Sequence, residues 1–338
     1  MSITKITQYP STSERGKFKS NTIDAPKLGE HEALLKLVAC GVCHTDCVYM
    51  GQEGAVLGHE PICTVVEVGS QVKNIKKGDT VGTSYLRRAC LECRECMSGQ
   101  DALCENRIMF PEGNMNGFAD YQICDSRFTY KIPKELEPKY AASLMCAGVT
   151  VFNAIYSSKI LPTGRIAVIG IGGLGHLAIQ FAKAWGCHVT AISTSADKKE
   201  EAMKFGAHDF LVSKEFTKES VAKLNKFDLI LDTVSVNLDW DIYLGLLKKN
   251  GSLAFMSVTT DPITFKDVNS FLVDQKTFKG SIVGGRYIID LMLEFAARHQ
   301  IKPQIEEYPF DIDGIEEAIK TCDSGKARYR GVLIAKDN

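Results

Sequence analysis

The sequence predicts an α/β protein in two parts. One is an irregular β domain built from residues 1–146 and 286–338, and the other a doubly wound parallel sheet over 147–285. Three observations predict it. Short β-type runs separated by Gly-containing turns fill the first half. From near Ala147, strands and helical stretches alternate, the pattern of successive βαβ units. The chain of 338 residues also exceeds what a single ordinary core supports, which favours two domains.

Taken in order, the expected strands of the first half are Leu34 to Ala39, Ile62 to Val68 and Phe118 to Ile123. Turns are expected at Lys77-Gly78-Asp79 and at Asn114-Met115-Asn116-Gly117. In the second half, Arg165-Ile166-Ala167-Val168-Ile169 reads as a buried strand. Leu174 to Trp185 reads as a helix with Leu177, Ile179, Phe181 and Ala182 on or near one face. Strand His188 to Ile192 and helix Asp197 to Phe205 follow, then strand Phe227 to Leu231, helix Trp240 to Leu247 and strand Ser252 to Met256. Thr277 to Val283 is the last strand. Beyond 286 the texture returns to mixed helix and strand, which is expected to rejoin the first half.

Apolar residues make up 45% and charged residues 24%, an ordinary globular balance. A formal net charge of -1 gives no electrostatic footprint for nucleic acid or an anionic membrane. No apolar run reads as long enough to span a bilayer, and Met1-Ser2-Ile3-Thr4-Lys5 lacks the apolar core of a signal peptide. The expectation is a cytoplasmic protein. Twelve cysteines in such a chain argue for metal ligands or catalytic groups rather than a disulfide framework.

Cys90, Cys93, Cys96 and Cys104 crowd into one lobe at C-x-x-C-x-x-C spacing. Two-residue gaps let a tight loop turn each sulfur inward, and four thiolates close a tetrahedral zinc shell with no open position. That makes the metal structural. An iron–sulfur cluster is the competing occupant, disfavoured because no Cys-Pro follows.

A second set is dispersed. Cys43-His44-Thr45-Asp46 follows the first strong strand, Gly58-His59-Glu60 precedes the next, and Cys146 lies where the texture changes. Cys43, His59 and Cys146 together offer two thiolates and one imidazole with a fourth place open, the pattern of a catalytic zinc. Each has a bland alternative: a lone His is commonly a satisfied polar residue, and Cys146 could pack as plain core.

The third signal is Gly170-Ile171-Gly172-Gly173-Leu174-Gly175, directly after a predicted strand and opening a helix. That setting is what a dinucleotide fingerprint requires. The next strand ends at Ser193-Thr194-Ser195, where an NAD site places an acid for the ribose hydroxyls. Here hydroxyls precede Lys198 and Lys199, which suits a 2′-phosphate and hence NADP(H) over NAD(H). The alternative reading makes Ser195 a helix N-cap followed by solvated lysines.

In this order, the Cys43 to Asp46 run, Gly58-His59-Glu60, the Cys90 to Cys104 lobe, Cys146-Ala147-Gly148-Val149-Thr150 and the glycine loop resemble the zinc-dependent medium-chain alcohol dehydrogenases. The run Ser193 to Lys198 most resembles their cinnamyl-alcohol-dehydrogenase-like branch. The resemblance covers nearly the whole chain. It implies a GroES-like catalytic domain and a Rossmann domain, two zinc ions per chain, and zinc-assisted hydride transfer between primary alcohols and aldehydes. It also implies a homodimer or homotetramer formed through the nucleotide domain.

By the same resemblance, Cys43, His59 and Cys146 ligate the catalytic zinc, and Glu60 approaches or replaces a ligand during exchange. Asp46 orients His59 from behind, and Thr45 receives the alcohol proton. His44 lies near the cofactor pyrophosphate, as does Arg330. Thr150, Val258, Ser281 and Val283 line the nicotinamide side.

Three departures from the family pattern stand out. The segment between Cys43 and His59 is short and carries no Pro before Gly58. Val48 stands where the family often has a His at the outer end of the proton relay, so the proton's exit through water, His44 or Tyr49 is undecided. Tyr85 replaces a common Trp, and with Leu86, Phe110 and Met115 it is a candidate pocket wall. Two other readings compete: a sugar-alcohol or other medium-chain reductase of the same fold, and a non-enzymatic zinc-ribbon protein.

Overall fold

The computed structural model describes residues 3–112, 116–257 and 262–336. The chain divides into two compact units, Met1–Val149 with Val283–Asn338, and Thr150–Ile282.

The first unit is organised on one long strand, Glu32–Val42. Its alternating apolar residues Leu35 and Leu37 are buried, and each such side chain contributes roughly 1.5–3 kcal/mol by leaving water. The sheet runs in the order Ile305–Pro309, Arg330–Ile334, Glu32–Val42, Glu60–Val68, Thr80–Thr83, Thr129–Lys131. One edge of Glu32–Val42 is shared by two neighbours in tandem. Tyr121–Asp125 pairs with its first half, Glu32 opposite Asp125, and Arg330–Ile334 with its last four residues, Val42 opposite Gly331. The tail beyond 286 therefore completes this sheet. Helix Ile312–Asp323 buries Ile315, Ala318 and Ile319, spaced three and four apart, against the same core. The cysteine lobe has its own small core of Leu86, Ala89 and Phe128 around Cys96 and Cys104.

The second unit is a six-stranded parallel sheet in the order Asp209–Val212, His188–Ser193, Arg165–Ile169, Phe227–Asp232, Leu247–Phe255, Thr277–Gly280. In chain order within this unit that is 3-2-1-4-5-6, the doubly wound arrangement whose ligand crevice opens at the carboxyl ends where the order reverses. The helix after the glycine loop, Gly175–Trp185, buries Leu177, Ala178, Ile179, Phe181 and Ala182.

Several boundaries differ from the sequence expectation. The strand Asp209–Val212 was not expected; four partly exposed residues at a sheet edge carry little periodicity. Helix Trp240–Leu244 ends earlier than expected, because the chain turns at Gly245 into strand Leu247–Phe255. The helix after Ser195 begins at Lys199 with Lys198 as N-cap, so Ser195 is not the capping residue. The turn expected at Asn114 to Gly117 lies partly outside the described residues. Contrary to the reading that no run could span a bilayer, the helical stretch Pro138–Ser157 is long and apolar enough. It is 78% buried inside the protein, as a core helix is.

Candidate zinc centres and dinucleotide loop

One buried carboxylate holds two distant ligand segments together. Asp46 is fully buried, in the first turn of helix His44–Tyr49. Its Oδ2 accepts from the Cys43 backbone N–H at 2.9 Å, the return half of a capping box. Its Oδ1 accepts from the Gly58 N–H at 2.9 Å and lies 3.2 Å from His59 Nδ1. With Nδ1–H donating to Asp46, the His59 Nε2 lone pair is free to serve a metal. Gly58 has φ +86, and a Cβ there would meet the Phe118 ring at 2.5 Å, so only glycine makes this turn.

One ligand atom each from Cys43, His59, Glu60 and Cys146 lies within 4.8 Å of the others. These come from three segments, and His59, Glu60 and Cys146 are buried. His59 Nε2 and Glu60 Oε2 have no hydrogen-bond partner, although a buried polar atom is normally satisfied. Two thiols, an imidazole and a carboxylate around two orphaned atoms fit a zinc ion by donor chemistry.

Sequence reasoning missed how Glu60 is held. The strand register sets Glu60 opposite Gly41, where a Cβ would lie 1.9 Å from Glu60 Oε2. Its other oxygen accepts from the buried Arg330 guanidinium, so the structure places Arg330 on Glu60. A glycine inside a strand was the available signal. Burial pushes the Glu60 carboxyl up to about 7, with Arg330 opposing. A hydrogen bond from Cys146 holds the Cys43 thiol well below its usual range, helped by Arg330 and His59 against burial, while Cys146 is pushed well above. Burial disfavours the His59 imidazolium, but Asp46 and Cys43 outweigh it and bring its pKa up to about 10.

Thr45 Oγ1 lies 3.7 Å from the Cys43 sulfur, whereas His44 and Val48 are exposed. Phe110 and Tyr85 pack on the His59 ring at centroid distances of 4.7 and 5.7 Å. Leu86 does not join them; it is fully buried in the core of the cysteine lobe. Met115 lies outside the described residues.

In that lobe the sulfurs of Cys90 and Cys96 are 3.9 Å apart, and those of Cys104 and Cys90 3.6 Å. Four sulfurs about 2.3 Å from one zinc stand about 3.8 Å apart, so the lobe is already shaped for the ion. The Cys93 and Cys96 N–H groups point at the Cys90 and Cys93 sulfurs, at 3.3 and 3.5 Å, and stabilise thiolate charge. Asp101, buried beside the lobe, accepts from the Arg286 backbone N–H and side chain at 2.9–3.2 Å.

In the second unit three glycines of the loop each have their own reason. Gly170 adopts φ +85 to turn the chain out of its strand. A Cβ on Gly175 would lie 1.9 Å from the Gly170 carbonyl oxygen, so the helix approaches the strand only without one. A Cβ on Gly172 would meet nothing within 4 Å, leaving the open backbone approach that a pyrophosphate needs. Gly173 and Leu174 complete the turn, Leu174 as helix N-cap. Lys198 Nζ donates to the Ile171 carbonyl at 2.8 Å, which brings its charge onto this loop. Ser193 ends its strand and Thr194 follows; Ser195 Oγ donates to Asp197 at 2.8 Å. Thr150 is buried in helix Val149–Ser157, and Ser281 carries a buried hydroxyl without a hydrogen-bond partner. Val283 is buried in the first unit, and Val258 lies outside the described residues.

Comparison with known proteins agrees with this geometry. Residues 29–134 match the family described as alcohol dehydrogenase GroES-like domain, and residues 173–298 that described as zinc-binding dehydrogenase. The chain is 38% identical to the aldehyde reductase AdhA of Synechocystis, over 98% of this chain and 100% of the relative. It superposes on a cinnamyl alcohol dehydrogenase of Sorghum bicolor with a TM-score of 0.88 at 31% identity, covering 98% and 97% of the two chains. A Helicobacter pylori enzyme of the same name, solved with NADP(H), gives 0.85 at 26% identity, covering 98% of each. With its GroES-like and dinucleotide-binding domains and its two cysteine shells, the chain belongs to the zinc-dependent medium-chain alcohol dehydrogenases, in the cinnamyl-alcohol-dehydrogenase-like branch.

Proposed function

We propose that the chain is an NADP(H)-dependent zinc alcohol dehydrogenase and aldehyde reductase that interconverts primary alcohols and aldehydes. The observation that carries this reading is the shell of Cys43, His59, Glu60 and Cys146, with buried, unpartnered His59 Nε2 and Glu60 Oε2. In it Cys43, His59 and Cys146 hold a catalytic zinc and Glu60 stands as exchange ligand, while Cys90, Cys93, Cys96 and Cys104 hold a second, structural zinc. A zinc in the first shell supplies Lewis acidity toward the substrate oxygen, and a bound nicotinamide exchanges the hydride.

The chain's own residues do the rest. Thr45 Oγ1 takes the alcohol proton, and Asp46 fixes the His59 tautomer and ring plane. Arg330 keeps one Glu60 oxygen engaged so that the other faces the shell. Phe110 and Tyr85 pack the His59 ring and keep water from its faces. Gly170, Gly172, Gly173, Leu174 and Gly175 carry the cofactor pyrophosphate. Ser193, Thr194, Ser195 and Lys198 favour a 2′-phosphate over a bare ribose. Thr150, Ser281, Val283 and Val258 line the nicotinamide. Exposed Val268, Leu272 and Val273 in the nucleotide-binding unit supply an apolar patch for a homodimer or homotetramer. We place the enzyme in the cytoplasm.

The test is steady-state turnover of a panel of aliphatic and aromatic aldehydes with NADPH and NADH in parallel. NADPH should give the higher kcat/KM with at least one aldehyde. Comparable efficiency with NADH would sink the cofactor preference, and no turnover across the panel the reaction itself.

A further inference from the structure

Helices His44–Tyr49 and Ile312–Asp323 bring together a third set of metal-type donors, apart from both cysteine shells. One ligand atom each of His44, Cys47 and Asp323 lies within 4.8 Å of the others. His44 and Cys47 stand three apart on one helix, hence on one face, and Asp323 ends the other helix. Cys47 is fully buried, whereas His44 and Asp323 are exposed. The site therefore has a sulfur floor and an open rim of imidazole and carboxylate. Cys47 packs within the hydrophobic core, but core packing alone does not call for an imidazole and a carboxylate at its rim. Cys47 otherwise makes only long contacts, 3.8 Å to the Cys43 and Ile319 carbonyls, and Asp323 pairs at the surface with Arg15 at 3.0 Å.

We propose that His44, Cys47 and Asp323 form a third metal site, for a thiophilic d¹⁰ cation such as Zn²⁺ or Cd²⁺. One sulfur, one imidazole and one carboxylate give three of the four mixed donors such an ion takes, and water at the open rim completes the set. On binding, the Cys47 sulfur forms a bond to the metal and releases its proton to solvent, with no change of oxidation state. The ion ties the helix that follows Cys43 to the helix that packs beneath the central sheet.

The test compares the wild-type protein with the Cys47→Ser/Asp323→Asn double variant, both kept under a non-chelating reductant. Each is titrated with Zn²⁺ and, separately, with Cd²⁺. Calorimetry follows uptake, elemental analysis counts bound metal, and the ultraviolet thiolate–cadmium band reports sulfur ligation. The wild type should take up one ion per chain more than the double variant and show extra thiolate–cadmium absorbance. Because the readout is this difference, it holds whatever the other two shells contain. Asp323→Asn alone keeps the Cys47 sulfur and sits at the surface, so it folds; it should weaken uptake by at least about tenfold. Equal uptake in wild type and double variant, or cadmium binding without the extra absorbance, overturns the proposal.

Discussion

Asp46→Asn tests the idea that one carboxylate sets the geometry of the candidate catalytic shell. Asp46 accepts from Cys43 N–H on one oxygen and from Gly58 N–H and His59 Nδ1 on the other. An amide has one oxygen, so it can serve one side only. If the oxygen keeps Gly58 and His59, the NH₂ group faces the Cys43 N–H, and the return bond of the capping box, worth about 1 kcal/mol, is lost. The two remaining bonds drop from charge-assisted, about 1.5–3 kcal/mol each, to neutral, about 0.5–1.5. The sum is about 3 kcal/mol of stability, for a change that adds no bulk. Because His59 loses its anionic partner, zinc affinity at the shell should fall about 10- to 100-fold. Chelator competition monitored by zinc release measures the affinity, and thermal melts measure the stability. The reasoning fails if the variant keeps wild-type zinc affinity in a normally folded protein, because Asp46 would then be neither orienting nor polarising His59.

Four further outcomes follow from the geometry. Gly172→Ala should melt like the wild type yet lose cofactor affinity, whereas Gly175→Ala should lose stability because its Cβ meets the Gly170 carbonyl; melts with NADPH fluorescence titration separate them, and the opposite pattern refutes the assignment. Burial pushes the Asp232 carboxyl up to about 7. The folded protein thus holds that proton to higher pH than the unfolded chain, so its contribution falls between about pH 4 and 7, by up to about 4 kcal/mol. Asp232→Asn should remove that fall, and melts across this range showing the same pH dependence in both proteins would contradict it. Thr45→Ala should cripple kcat far more than Tyr49→Phe, and equal losses in steady-state assays would refute Thr45 as the proton acceptor. Leu272→Asp combined with Val273→Asp should yield a folded monomer by light scattering, and an unchanged mass would move the oligomer contact elsewhere.

The parts legible in the sequence were those whose signal is local. Arg165–Ile169 appears at the expected residues, because the apolar run Ile166 to Ile169 before a glycine loop has few alternatives. The cysteine lobe carries its own spacing. What stayed hidden depends on register and long separation. The Arg330–Glu60 pair joins residues 270 apart, and only the antiparallel pairing of Glu32–Val42 with both neighbours brings them together. The His44, Cys47 and Asp323 cluster was hidden for the same reason: two helix faces meet only after the tail has folded back. Edge strand Asp209–Val212 was illegible because it lacks the burial that generates a pattern.

The strand Arg330–Ile334 also dictates an order of synthesis. It fills the edge of Glu32–Val42 beside residues 39–42 and delivers the guanidinium to Glu60. Arg330 follows Val149 by 181 positions (330 − 149), so at about 5–20 residues per second a ribosome takes roughly ten to forty seconds to bridge them. The unit Thr150–Ile282 is continuous in the chain and can mature in that interval. The opening residues meanwhile wait with an unpaired strand edge and a carboxylate lacking its cation. An unpaired edge is a template for wrong partners, so the nascent chain is most exposed to misassociation just before its final strand emerges.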